Sequence, residues 1–337
     1  MFGILEQDFS WLNLLIMISV AVAVMGVVLL FVVYAIYFER KIVGWIQLRR
    51  GPNRVGPWGL FQTVADVLKL LIKEDVVPTK VDRLLFLIAP IIAYTPSFAI
   101  IAVIPYTESL YFADVNVGLL YYGALSSITI TGIMLGGWAS NNKYAIMGGM
   151  RSVAQMVSYE VPLIMSFLGV VLMTGSLNMR EIVQAQQDGV WFIFPQFLGF
   201  IIFLIAGNAE LNRTPFDLPE AENELVAGYF VEYSGFRFAF FMLTEYVYMF
   251  AMASLMTVLF FGGWDAPFGL DFIPGIVWFF LKFLMLVFWL FWIRATFPRV
   301  RTDQLMGFAW KVLIPLALFN VMLTALLHTL GIYSGVN

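Results

Sequence analysis

The chain has 337 residues, 61% of them hydrophobic and only 12% charged, with a mean hydropathy of +0.87. Soluble domains run at about 45–50% apolar and about 25% charged, so no water-soluble fold of this size hides so much apolar surface, and lipid must be part of its solvent. The formal net charge of −3 averages over loops of opposite character and says little by itself.

Eight apolar segments follow one another along the chain: Leu12–Phe38, Leu84–Ile104, Val117–Ala139, Val153–Thr174, Phe192–Gly207, Phe238–Phe261, Ile276–Ile293 and Leu305–Leu330. A helical crossing needs about 17–25 residues. The pattern predicts an all-α integral membrane protein of about eight transmembrane helices, a single polytopic unit over 1–337 with no fixed-period repeat. The first ten residues hold Glu6 and Asp8 but no base, and basic residues come only after the first apolar run, at Arg40 and Lys41. That order does not fit a signal peptide and predicts a retained first helix.

Loop 39–83 follows. Gly51-Pro52 and Gly56-Pro57 forbid a regular helix through 51–57. From Leu60 to Lys73, Phe61, Val64, Ala65, Leu68, Leu71 and Ile72 repeat at three- and four-residue spacing, opposite Gln62, Asp66, Lys69 and Lys73. Too short and polar to cross, this segment is expected to lie along the interface. A membrane-anchored loop helix explains the pattern. A helix lining a ligand entrance with Asp66 and Lys69 is the sharper alternative.

Ser126, Ser127, Thr129 and Thr131 place the third span inside the bundle. The fourth carries Glu160 within Ser158-Tyr159-Glu160-Val161-Pro162, about two turns from its cytoplasmic end on these boundaries. The fifth is short, with Pro195 near its start. Loop 208–237 is dense in acid: Glu210, Asp217, Glu220, Glu222, Glu224 and Glu232 are accompanied up to Glu232 by one base, Arg213. Asp217 and Glu220 fit a capping box with Pro219 early in the helix. Glu220 and Glu224 would share a face, where like charges repel and can share protons. Glu222, Glu224 and Glu232 read equally as a solvated face or as proton-handling groups. Glu245 lies within the sixth span and Lys282 within the seventh. A charge at mid-bilayer costs at least ~2.5 kcal/mol, which makes Glu160 and Glu245 functional candidates, and Lys282 reads equally as such a group or as a side chain near enough to a helix end to snorkel outward.

Basic residues concentrate in the loops after the first, third, fifth and seventh spans, and the opposite loops hold Arg180 alone. The positive-inside rule then predicts those loops in the cytoplasm and both termini outside.

Several segments carry a family resemblance. Glu39-Arg40-Lys41, Gly51 to Pro57, Ala65-Asp66, Gly137 to Asn141, Ser158-Tyr159-Glu160, Arg213 to Asp217, Glu220-Ala221-Glu222, Glu232-Tyr233, Glu245-Tyr246, Phe261 to Trp264, Ile293-Arg294-Ala295 and Asp303-Gln304-Leu305 run in order over nearly the whole chain. Together they resemble the H-type membrane component of bacterial respiratory complex I (NADH:quinone oxidoreductase), the counterpart of the first core membrane component of the mitochondrial complex. The resemblance implies a component of the cell membrane that forms much of a quinone entrance and chamber. It implies partners too: peripheral iron–sulfur subunits that supply electrons, and antiporter-like and small membrane subunits. Arg40, Gln47, Arg49, Asp66 and Lys69, with Arg294, Arg299 and Arg301, match positions near that chamber. Glu160, Glu210, Asp217, Glu220, Glu222, Glu224, Glu232 and Glu245 match positions of proton coupling. Some relatives carry a further acid where this chain has Ser126-Ser127, so a proton path would need another group there.

Quinone, ubiquinone or menaquinone, is therefore the expected substrate, with no redox centre in the chain. There is no Cys, and the one His, His328, is more often a helix-end residue than a ligand. An iron–sulfur cluster or structural zinc held by this chain alone is not expected, nor is flavin. No G-x-G-x-x-G after a strand and no G-x-x-x-x-G-K-[ST] occurs, so nucleotide binding is unsupported, and no nucleic-acid partner is expected. The alternatives are the equivalent component of a membrane-bound hydrogenase and a free-standing ion carrier; the carrier lacks the paired interrupted helices usual for such sites.

Overall fold

A computed structural model describes residues 11–219, 225–267, 270 and 272–331. Among them there are helices and turns but no strand. Helix α1 is Trp11–Ile46, α2 Gln62–Ile72, α3 Arg83–Ala99 with a 3₁₀ extension Ile100–Val103, α4 Gly118–Ala139, α5 Lys143–Thr174 and α6 Met179–Gln187. Then come α7 Phe197–Glu210, α8 Gly235–Phe260 and α9 Gly275–Thr296, and α10 Thr302–Thr329, which contains a π turn at Ala309–Leu313. Seven of these helices are long and apolar enough to cross a membrane, and α7 is a shorter apolar one. The chain is an all-α integral membrane protein, with eight apolar helices where the sequence predicts eight spans.

Helix α8 is the axis of the bundle. From Tyr246 to Phe260 every residue is buried, which is how a helix apolar on all sides is accommodated. Helix α3 packs on α4 and α8, α4 on α5, α5 on α7 and α10, and α1 on α8 and α9. Lipid-like surroundings give helices little hydrophobic reason to associate, so close backbone approach matters. A Cβ on Gly132 of α4 would sit 2.4 Å from the Ala93 backbone nitrogen, and one on Gly137 would sit 2.7 Å from the Ala145 carbonyl oxygen. Gly132→Val is expected to force α3 and α4 apart at a cost of about 1–3 kcal/mol, read as a lower thermal midpoint of the detergent-solubilised protein. An unchanged midpoint would show that the contact is slack.

Helix bounds differ from the sequence reading, most at α1, α5 and α7. Helix α1 continues to Ile46 rather than ending at Phe38, so Glu39 lies inside a helix. Helix α5 begins at Lys143, ten residues before the first predicted residue, because Asn142 caps it by accepting from the Tyr144 N–H. Glu160 is therefore about 25 Å along that helix, near its middle, rather than two turns from an end. Helix α7 starts at Phe197, after Pro195, and runs to Glu210. Glu210 thus belongs to the bundle and not to a loop. Finally, α4 is only partly enclosed: Ser126 and Thr129 are buried, whereas Ser127 and Thr131 are exposed on its outer face.

Of the two readings of Lys282, the structure speaks against snorkelling. Lys282 is 5% exposed and donates to the carbonyls of Phe261 at 2.6 Å, Gly263 at 3.1 Å and Asp265 at 2.6 Å. Its ammonium lies 4.1 Å from the Trp191 ring centre, and Trp191 donates to Asp265 at 2.6 Å. The lysine satisfies the carbonyls left open where α8 ends.

Candidate functional site

Four elements converge on one ionic cluster, buried at Arg213 and Glu39 and open toward the surface at Arg294. Helix α1 contributes Glu39, α8 contributes Glu245 and Tyr246, the end of α9 contributes Arg294, and the turn after α7 contributes Arg213. That turn reverses at Asn212, whose φ is +53°, a conformation Asn tolerates better than most residues. Gln155 of α5 clasps both sides of it, donating to the Ala209 carbonyl at 2.8 Å and the Phe216 carbonyl at 2.7 Å. Arg213 is thereby aimed back into the protein, with its side chain 1% exposed.

Arg213 donates to Glu39 at 3.2 Å and lies 2.6 Å from a Glu245 oxygen. Its guanidinium stands 4.4 Å from the Tyr246 ring centre. Tyr246 in turn donates to Glu39 at 2.9 Å, and Arg294 pairs with the other Glu39 oxygen. Two carboxylates face two guanidiniums, so the cluster is neutral as a set; a lone ion at this depth would be costly. Burial works against the charge on Arg213, but the Glu39 and Glu245 carboxylates outweigh it and hold its pKa above the ordinary arginine value. Arg213 is therefore a fixed cation at every accessible pH.

A second group of acids follows, buried at Glu210 and half-buried at Glu160. Glu210 is 1% exposed and accepts from the Tyr248 hydroxyl at 2.6 Å. Tyr122 stacks beside Tyr248 with ring centres 6.2 Å apart. Ser126 lies beside the Glu210 carboxylate and donates to Glu160 at 3.1 Å, while Ser127 donates to the same Glu160 oxygen at 2.5 Å. A small cavity, with about 30 Å³ of room for water, is lined by Glu210, Asn212, Thr244, Glu245 and Tyr248. Ile133, Met156, Leu211 and Phe241 also line it; the space is enough for a water molecule, and it places Glu245 and Glu210 on one void.

The chamber positions implied by the resemblance fall in three places. Around the first loop, Arg40 pairs with Asp66 at 2.5 Å and Arg49 donates to Gln47 at 2.7 Å. Arg40 and Arg49 line an open bay of about 660 Å³ together with Arg50 and Arg54. Lys69 stands in the last turn of α2, the amphipathic helix that the sequence places at Leu60–Lys73. Arg294 belongs instead to the ionic cluster. Arg299 donates to Asp217 at 2.8 Å, and Arg301 pairs with Asp303 at 2.7 Å beyond the end of α9. Of the remaining acids, Glu232 accepts from Asn142 at 2.7 Å. Glu220, Glu222 and Glu224 lie outside the described residues, and so does half of the capping box expected at Asp217.

Sequence reasoning singles out Glu160, Glu210 and Glu245 but passes over Glu39, Tyr246, Tyr248 and Ser126 as site residues. Glu39 has a signal: once α1 is allowed to reach Ile46, it becomes a carboxylate within a long apolar helix. The tyrosines have none, because a tyrosine in an apolar helix is ordinary packing until its hydroxyl is seen to meet a carboxylate.

The match to known proteins extends over almost all of this architecture. The family model described as NADH dehydrogenase matches residues 18–325. A protein of Brevibacillus brevis, named as the H subunit of an NADH-quinone oxidoreductase, is 66% identical over 324 residues, 96% of each chain. Proteins of the same name from Bacillus cytotoxicus and a Geobacillus species are 62% and 61% identical, covering 97% and 95% of this chain and 98% and 96% of their own. With likeness of this extent running from the first helix to the last, the chain belongs to the NADH dehydrogenase family, as a membrane member of its H type.

Proposed function

We propose that this chain is the quinone-handling membrane component of a proton-translocating NADH:quinone oxidoreductase, and that its buried acids couple quinone reduction to proton movement. The observation that carries the coupling is the run of ionisable groups from Glu39, Arg213 and Glu245 across a small water-sized cavity to Glu210 and, through Ser126, Glu160. Ionisable groups inside a membrane bundle are expensive to keep, and a connected set of them marks a route for charge. The name carried by the relatives favours this reading over a hydrogenase component or a carrier.

The loops after the first, third, fifth and seventh spans and the open bay face the cytoplasm, and both termini face outward. Quinone enters from the bilayer beside α2, where Arg40, Gln47, Arg49, Asp66 and Lys69 border its path. Arg294, Arg299 and Arg301 lend positive charge to the same side. Electrons come from an iron–sulfur partner, since the chain has no cysteine to hold a cluster of its own. Reduction of the quinone to the quinol takes up two electrons and two protons. The transient negative charge raises the proton affinity of the nearby acids, Asp217, Glu220, Glu222, Glu224 and Glu232. Their uptake of protons shifts the balance at Glu245, Glu210 and Glu160, and so at the neighbouring membrane subunits.

Glu220→Gln and Glu224→Gln in the assembled complex are expected to lower quinone-driven proton pumping while leaving the complex intact. Full pumping with normal assembly in both variants would sink the coupling role of this segment. Lost assembly would assign these acids to structure instead.

A further inference from the structure

The hydroxyl pair Ser126-Ser127 of α4 reaches both a carboxylate on α5 and the backbone of its own helix. Both hydroxyls approach one oxygen of Glu160, at 3.1 and 2.5 Å. Both also have an alternative acceptor, the Gly123 carbonyl, at 2.8 Å from Ser126 and 3.2 Å from Ser127. A serine hydroxyl has one hydrogen to donate and two lone pairs to accept with. Each serine must therefore choose between the carboxylate and the backbone.

We propose that Ser126 and Ser127 form a hydroxyl switch that keeps Glu160 hydrogen-bonded in both its charged and its protonated form and passes its state to Glu210. This rests on the coupling role proposed above for Glu160. When Glu160 is a carboxylate, both hydroxyls donate to it, and charge-assisted bonds of this kind are the strong ones. When Glu160 takes up a proton, its own O–H donates to Ser127 Oγ, and the Ser127 hydrogen rotates to the Gly123 carbonyl. No bond within either serine breaks; one proton is added, on Glu160.

The link to Glu210 follows from the capacity of Gly123. One lone pair of that carbonyl serves the α4 helix ladder, which leaves room for one hydroxyl. Once Ser127 occupies it, the Ser126 hydrogen turns to Glu210, beside which it lies. The Oε2 atom of Glu210 is buried and accepts no hydrogen bond among the described residues, so it offers an unmet acceptor. Among the described residues, Glu210 from α7 and Tyr122 from α4 are titratable groups near Glu160. Tyr122 directs its hydroxyl to the Met252 sulfur at 3.4 Å and stands beside Tyr248, whereas Ser126 bonds Glu160 directly and lies beside Glu210, which makes Ser126 the bridge between the two acids.

The test uses the purified whole complex in vesicles and two readouts, protons pumped per electron and the infrared band of the protonated Glu160 carboxyl. Glu160→Gln assigns the band by its loss. Ser127→Ala is expected to shift that band and lower pumping several-fold, and Ser127→Thr, which keeps the hydroxyl, to restore both. An unmoved band and normal pumping in Ser127→Ala, with pumping lost in Glu160→Gln, would overturn the switch alone. Normal pumping in Glu160→Gln would instead overturn the coupling role on which it rests.

Discussion

Arg213→Met is expected to lower stability by about 3–5 kcal/mol and to prevent accumulation of the folded protein in membranes. The substitution leaves Glu39 and Glu245 facing one another across a buried space with only Arg294 to answer them. The loss extends beyond one ion pair, because the Arg213 guanidinium also covers the Tyr246 ring. Two buried carboxylates with one cation would draw a proton to relieve the repulsion. Arg213→Lys should recover part of the loss, since an ammonium restores the charge but lacks the fork that spans both carboxylates. Membrane yield and thermal midpoint in detergent measure the effect; a Met variant as stable as the parent would show that the cluster contributes nothing to the fold.

Glu210→Gln should act in the opposite sense on stability and most strongly on function. The amide oxygen can still accept from Tyr248, which now donates at 2.6 Å, and a neutral amide costs less to bury than a carboxylate. Folding is thus expected to hold or improve. Proton pumping driven by quinone reduction is expected to fall roughly tenfold or more, because the group that takes up and releases the proton is gone. Pumping at the parental rate in a well-assembled Glu210→Gln complex would remove Glu210 from the path.

The membrane class and the eight apolar segments are legible in the sequence because lipid imposes one simple rule: about twenty apolar residues per crossing. The ends of helices are less legible, for the same reason. Glu39 to Ile46 and Lys143 to Ser152 are helical but too polar to count as apolar span, so periodicity in hydropathy stops short of them. Glu160 and Glu245 are conspicuous because each is an acid in an apolar run. Arg213 is conspicuous only as the single base in an acidic segment, and its burial depends on the Asn212 turn and the Gln155 clasp, which no sequence spacing announces. The hydroxyl pair on Glu160 reads in the sequence as two polar residues in a span, and their partner emerges only when α4 and α5 lie side by side.

Purifying a tagged copy from its native membranes in mild detergent, identifying the proteins that accompany it and assaying the eluate for quinone reduction decides whether this chain works inside a quinone-reducing complex. Iron–sulfur partners and an inhibitor-sensitive quinone reductase activity are expected in the same eluate. A lone polypeptide, under conditions that keep other respiratory complexes intact, or a nickel-containing partner without quinone reduction, would contradict that placement.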